Sequence, residues 1–251
     1  MNFTLDGIQW PNSCTSAVSL TFDDGTESQL ELGGPLLEKY GLKASFYLNT
    51  GVNRPDKQWL EWKKVQEAGH EIGNHSTTHP IPANIKNPGS MNRCLDDMTL
   101  EEIEKDVLGA EKTLTEIFGA KQRSYAYPCY ESYIGSGVGR QSYVPIIAKH
   151  FVAGRGTGEF GFNNPLSCDL HYLSSWRSDG LSNSQIVGLA ENYSTICGWQ
   201  VFTFHSIGNN RLGISTYEFE RFLKYLDRQK GSMWVAPVAV VAKYVIDRIR
   251  K

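Results

Sequence analysis

The stretch NHSTTH places His75 and His79 four residues apart, and the stretch TFDDG places Asp23 and Asp24 side by side at the end of an apolar run. On one helical turn, residues at i and i+4 point the same way. Two neutral imidazoles so placed are suited to zinc, and a carboxylate completes the protein ligands of a catalytic tetrahedron. Either aspartate could supply it. Adjacent residues on a strand face opposite ways, but the backbone turns at the strand's end, so both carboxylates can reach one site. One would bind the ion, whose charge offsets their mutual repulsion. The other would stay free as a general base toward a water polarised by the metal. His205 ends the apolar run WQVFTF and is expected to act as a general acid toward a leaving group. His70, His150 and His171 have no such placement and read as structural or solvated.

These residues need elements to position them, and the chain alternates short apolar runs with amphipathic ones, the pattern of an α/β fold. AVSLTF, KASFYLNTG, HEIGNH, RSYAYP, FVAGR, WQVFTFH and SMWVAPV read as strands. Between and after them, PLLEKYG, QWLEWKKVQEAG, TLEEIEKDVLGAEKTLTEIFG, YVPIIAKHF, SNSQIVGLAENYSTICG, STYEFERFLKYLDRQKG and AVVAKYVIDRIRK read as helices. Thr99 with Glu102 and Ser215 with Glu218 have capping-box spacing, and Gly119 stands where a left-handed cap belongs. About seven βα steps predict a barrel, in which chemistry sits where strands run into the following loops. Asp23, Asp24, His75, Cys129 and His205 all fall at such ends. The loops Ile81–Met98 and Tyr130–Tyr143 are long and are expected to shape a binding site.

A length of 251 residues and a hydrophobic share of 40% fit a single domain over residues 1–251 with a real core. A net charge of -2 gives no electrostatic case for nucleic acid. Five scattered cysteines without CxxC spacing make neither a disulfide framework nor a zinc ribbon. MWVAPVAVVAKYVI is too short to span a bilayer, and MNFTLDGIQWPNS lacks the basic start and apolar core of a signal peptide. The protein is then cytoplasmic, or extracytoplasmic if a leader has been removed.

TFDDG, HSTTH, the strand end AYPCY and the late FTFH, in this order, resemble the NodB-homology polysaccharide deacetylases, carbohydrate esterase family 4. The resemblance runs from about Ser19 to the C-terminus. It implies a distorted (β/α) barrel of about seven strands and metal-dependent removal of N-acetyl groups from amino sugars, or of O-acetyl groups from xylan-type polymers. Carried over by position, Asp23 is the general base. Asp24, His75 and His79 bind one divalent metal, with zinc expected, and His205 is the general acid. The backbone N–H of Cys129 helps hold the oxyanion, a role that does not depend on side chain.

Departures from the family pattern mark where substrate and tuning differ. The arginine that opens the family's third motif is Ala126 here, and a pocket leucine is Thr203. SSWRSDG holds Trp176, Arg177 and Asp179 in an order unlike the fourth motif. Arg155, in VAGRGTGE, is expected to replace the missing arginine, with Asp179 as its anchor and Arg140 as runner-up. Tyr130, Tyr133 and Trp176 are candidate rings for stacking on an acetylated oligo- or polysaccharide, and Asp179 is also a candidate for contacting it. Two other readings remain: a hydrolase of the same fold acting on ureide-type C–N bonds, and a non-catalytic carbohydrate-binding relative.

Overall fold

The structure is a computed structural model and describes residues 8–86, 92–156, 161–192, 197–208 and 212–250. Its elements run β1 (Ser16–Phe22), α1 (Gly34–Lys39), β2 (Ser45–Leu48), α2 (Asp56–Glu67), β3 (Glu71–Asn74), α3 (Leu100–Phe118), β4 (Ser124–Ala126), β5 (Tyr133–Ile134) and β6 (Gln141–Ser142). They continue as α4 (Val144–His150), β7 (Ala153–Arg155), β8 (Phe162–Asn163), β9 (Trp176–Arg177), α5 (Asn183–Asn192), β10 (Trp199–Phe204), β11 (Ser206–Ile207), β12 (Gly213–Ile214), α6 (Thr216–Arg228), β13 (Met233–Val235) and α7 (Val238–Tyr244). The expected order of strands and helices is therefore present. The two-residue strands β5, β6, β8, β9, β11 and β12 are additions, because so short a run shows no period in sequence. The last part of the helix expected over SNSQIVGLAENYSTICG includes residues 193–196, outside the described residues.

The main sheet has the order β7-β4-β3-β2-β1-β10-β8, with β13 joined to β1 and β9 to β10. Every ladder in it is parallel except β10 with β8. The sheet curls into a barrel that its own ladders do not close. The segment Leu170–Ser174 fills the gap: Gly154 N–H donates to Leu170 O, Leu173 N–H to Gly154 O, and Asn163 Nδ2 to Ser174 O. This irregular seam is the distortion of the barrel.

Alternation along the strands sorts side chains into two environments. Val18, Leu20 and Phe22 of β1, with Phe202 and Phe204 of β10, join the core beneath α1, α5 and α6. Each such ring or branched chain, wholly buried, contributes about 1.5–3 kcal/mol. The other parity faces the barrel interior. At its lower end Ala17, Ala153, Trp199 and Val201 pack against α7, which plugs the bottom. Further up come Ser19, Thr21, Tyr47 and Thr203, all fully buried, and their hydroxyls take part in hydrogen bonds. The same parity carried to the strand ends brings Asp23, His75 and His205 to the upper mouth.

The helix caps hold with two differences. Thr99 and Glu102 make the full reciprocal box on α3. Ser215 accepts from Glu218 N–H, but the Glu218 carboxylate turns away to the N–H of Asn183 and so ties α6 to α5. Gly119 has the expected positive φ of 80°, but its ψ of 161° is not left-handed helical.

Candidate active site

Asp24 opens the turn that follows β1 and takes φ 73°, with Gly25 following at φ 62°. A Cβ on Gly25 would lie 2.6 Å from Leu48 Cδ2 and 2.8 Å from Arg54 Nη2, so the glycine of TFDDG is required by space as well as by backbone. Arg54, largely buried, donates from Nη2 to Asp24 O at 2.7 Å and from Nη1 to Asn49 O. The buried Gln29 amide donates to the carbonyls of both Asp23 and His205, clamping the ends of β1 and β10 together.

His75 and His79 do not share a helical turn. They lie on a tight loop in which Ser76 and His79 have positive φ, 64° and 47°. Three polar groups hold that loop. Asn74 Oδ1 accepts from Ser76 N–H, Ser76 Oγ accepts from His79 N–H, and the Asp106 carboxylate accepts from the N–H groups of Thr77 and Thr78. Asp106 comes from α3 and is buried between Ile103, Val107 and Ala110. Sequence reasoning missed it, although a charged residue on the apolar stripe of a helix is the available signal.

The outcome is a cluster that could hold a metal ion. Donor atoms of Asp24, His75 and His79 all lie within 4.8 Å of one another. Asp24 Oδ1 stands 3.5 Å from His75 Nε2 and 3.4 Å from His79 Nε2. Ligands about 2.1 Å from a tetrahedral ion are about 3.4 Å apart, so the spacing fits zinc. His75 Nδ1 lies 2.9 Å from Ala126 O and donates to it, which leaves Nε2 free to ligate. Burial raises the Asp24 carboxyl, but the hydrogen bond and charge of His75 and the charges of His79 and His205 outweigh it and hold the group well below the usual carboxylate range. Burial, with His75 beside it, pulls His79 down to about 4. An ionised carboxylate and a neutral imidazole are what a divalent ion requires.

Asp23 points the other way, into the barrel, and is 2% exposed. Arg155 Nη2 donates to both its oxygens, at 2.5 Å to Oδ2. Ala126 and Arg155 are direct cross-strand partners in the β4–β7 ladder. The guanidinium therefore enters from the adjacent strand, at the same register as the alanine that stands in the arginine position. It lies between two rings, 5.4 Å from the centroid of Tyr47 and 5.2 Å from that of Tyr130. Gly73 makes room for the lower ring, since a Cβ there would fall 2.4 Å from Tyr47 Cδ1. Burial lowers the Arg155 pKa, but Asp23 outweighs it and the net direction is upward. Arg140, the runner-up, pairs instead with Glu131 at 3.1 Å and is half exposed.

Asp179 anchors His205 and not Arg155. Its oxygens lie 3.1 and 3.2 Å from His205 Nδ1, and Arg177 Nε donates to it at 2.9 Å. A short strand from an unexpected segment is the reason: β9 pairs with β10 and delivers SSWRSDG to the end of β10. Burial opposes the charged imidazole, but the Asp179 bond and the Asp23 charge prevail, and His205 is raised. Its Nε2 faces Asp23 Oδ2 across 3.9 Å. Tyr130 meets His205 edge-on at 6.4 Å.

Cys129 has φ 51° in the turn after β4, and the bonds closing that turn come from the N–H groups of Tyr130 and Glu131. Burial, and then the charges of Asp24 and Asp23, push its thiol up to about 12, so it stays a neutral thiol beside the triad. Trp176 packs on the outer core and over Gly161, where a Cβ would lie 2.1 Å from its ring. Tyr133 is 42% exposed and stacks under Arg140. Thr203 lies below the site, donating to Ser175 Oγ at 3.0 Å.

The strand ends of a parallel barrel here gather a cluster able to hold a metal ion and, apart from it, a carboxylate–imidazole pair. The family model described as Polysaccharide deacetylase matches residues 11–133. The chain is 28% identical over 167 residues, 66% of its length, to a gellan lyase of Bacillus sp, and it spans 6% of that lyase's length. In fold it is similar to the Xyl-CE4 domain of a multidomain xylanase from the hindgut metagenome of Trinervitermes trinervoides, with TM-score 0.58, 17% identity, and 91% and 90% of the two chains covered. It is also similar to the peptidoglycan deacetylase PdaC of Bacillus subtilis, with TM-score 0.55, 16% identity, and 93% of each chain covered. Residues 11–133 thus match the polysaccharide deacetylase family, and the fold of the chain is that of these carbohydrate esterase family 4 structures.

Proposed function

We propose that the chain is a metal-dependent hydrolase that removes acetyl groups from a carbohydrate, N-acetyl from amino sugars or O-acetyl from xylan-type polymers. The observation that carries this reading is the separation of roles in one mouth. Asp24, His75 and His79 form a ligand cluster, while Asp23 stays outside it, locked by Arg155 and facing His205.

A divalent ion, with zinc the best fit, would supply Lewis acidity toward the acetyl carbonyl and lower the pKa of water in the site. Asp23 is placed to take the proton of the attacking water. Arg155 fixes its rotamer. The Cys129 N–H is a donor for charge developing on the carbonyl oxygen. His205, held at Nδ1 by Asp179 and raised in pKa, carries a proton on Nε2 for the departing amine or hydroxyl. Acetate and the free sugar group leave.

Acetate release from acetylated chitooligosaccharides, peptidoglycan fragments and acetylated xylan, with and without chelator, tests the reading. Release that stops on chelation and returns with zinc is expected. Turnover of cyclic ureides with none of the acetylated sugars would replace it with the C–N hydrolase reading. Saccharide binding without turnover by the metal-loaded protein would make the chain a binding relative.

A further inference from the structure

Beside the catalytic mouth lies a polar cavity of about 320 Å³. That size is in the ~300–1,000 Å³ range of ligand sites. Its walls come from both long loops: Pro82, Asn84 and Asp96 on one side, Glu131, Tyr133 and Arg140 on the other. It adjoins the site through the chain itself. Pro82 is three residues beyond His79, and Glu131 follows Tyr130, whose ring meets His205. The charge of Glu131 reaches Cys129.

The chemistry of the walls is specific. Glu131 uses Oε1 for the N–H groups of Ser132 and Tyr133 and for Arg140 Nη2. Asp96 uses Oδ2 for the N–H of Ala83 and the thiol of Cys94. Among the described residues each carboxylate therefore has one oxygen with no hydrogen-bond donor, and an ionised carboxylate only accepts. Tyr133 is the exposed ring of the cavity, held by the Arg140 guanidinium 4.4 Å from its centroid. A fixed ring next to free acceptors suits a saccharide unit, which stacks a C–H face and donates from hydroxyl or ammonium groups.

We propose that this cavity is a subsite for the sugar unit next to the acetylated one, and that it selects neutral or amino sugars and rejects uronates. Two carboxylates against one guanidinium leave the walls net negative. A sugar carboxylate would meet like charge, whereas the ammonium of a free glucosamine unit would make a charge-assisted bond. The enzyme would then hold already deacetylated units beside the next one to be cut. This rests on reading the neighbouring site as a carbohydrate deacetylase.

Titration calorimetry on the metal-loaded chain with a β-1,4-linked glucosamine tetramer and with tetragalacturonate tests the subsite without turnover. The glucosamine tetramer should bind, tetragalacturonate should not, and Tyr133→Ala should weaken binding about ten-fold or more, the scale of one well-placed aromatic contact. Asp96→Asn, which keeps an acceptor for Ala83, should weaken the glucosamine tetramer as well. Turnover of a small aryl acetate, which reaches only the catalytic centre, should be unchanged in Asp96→Asn. Equal binding by Tyr133→Ala, or tetragalacturonate binding as tightly as the glucosamine tetramer, overturns the subsite. Tyr133-dependent binding with no acetate released from any saccharide would retain the subsite and remove the deacetylase reading; acetate release with Tyr133-independent binding would do the reverse.

Discussion

Arg155→Met tests how the site is held together. The substitution keeps a long side chain between Tyr47 and Tyr130 and removes the cation. Arg155 is 0% exposed and Asp23 is 2% exposed, so the variant leaves a carboxylate in the barrel without its partner. Removing one member of a buried pair costs about 3–5 kcal/mol. For a domain of this size each kcal/mol is worth about 2–4 °C, so Tm should fall by about 6–20 °C. Asp23→Asn in the same chain removes the uncompensated charge and should recover part of that loss. Turnover should drop by about 100-fold or more, since a shift of about 1 Å in a reacting group costs that much. Metal content should not change, because none of the ligand side chains is hydrogen-bonded to Arg155. Arg155→Lys should fall between the two: Nη2 alone meets both Asp23 oxygens, which a point charge can imitate, but an ammonium cannot reproduce the planar stack. Thermal melts, acetate release and elemental analysis on the same samples read all three quantities. Wild-type Tm and kinetics in Arg155→Met, or a loss of metal matching the loss of activity, would refute the reasoning.

Other outcomes follow from the same geometry. Asp106→Ala frees the N–H groups of Thr77 and Thr78 and should weaken metal binding by about 10–100-fold, measured by competition with a chelator, while Asp23 and His205 stay in place. Asp179→Asn should move the alkaline limb of the pH–rate profile to lower pH. Asp179 raises His205, and an acid stops working as pH climbs through its pKa, so removing that support lowers the pH at which activity is lost. His205→Ala should spare metal content and cut turnover by about 10²–10⁴-fold on N-acetyl sugars but much less on activated aryl acetates, which need little protonation. Equal losses on both substrates would argue against His205 as the acid. Gly25→Ala should lower Tm and metal affinity together, because a Cβ there meets Leu48 and Arg54 at a backbone φ of 62°.

Much of this site is legible along the chain because its signals are local. Strand-end placement follows from apolar runs broken by polar residues, and TFDDG with HSTTH singles out the candidate ligands before any fold is known. Alternation in β1 already decides that Asp23 shares a face with Ser19 and Thr21, so it enters the barrel while Asp24 turns away at the strand's end. Tertiary structure decided the rest, and in each case the reason is contact between residues distant in sequence. His75 and His79 converge through a loop stapled by Asp106, some thirty residues on, rather than through a helical period. Asp179 reaches His205 because a two-residue strand, too short to have a pattern, pairs with β10. Arg155 reaches Asp23 from beside Ala126 because β7 pairs with β4 in a particular register, and register is a property of the assembled sheet. The residue types of the candidate site can be read from sequence, but which partner holds each one in place depends on which strands become neighbours.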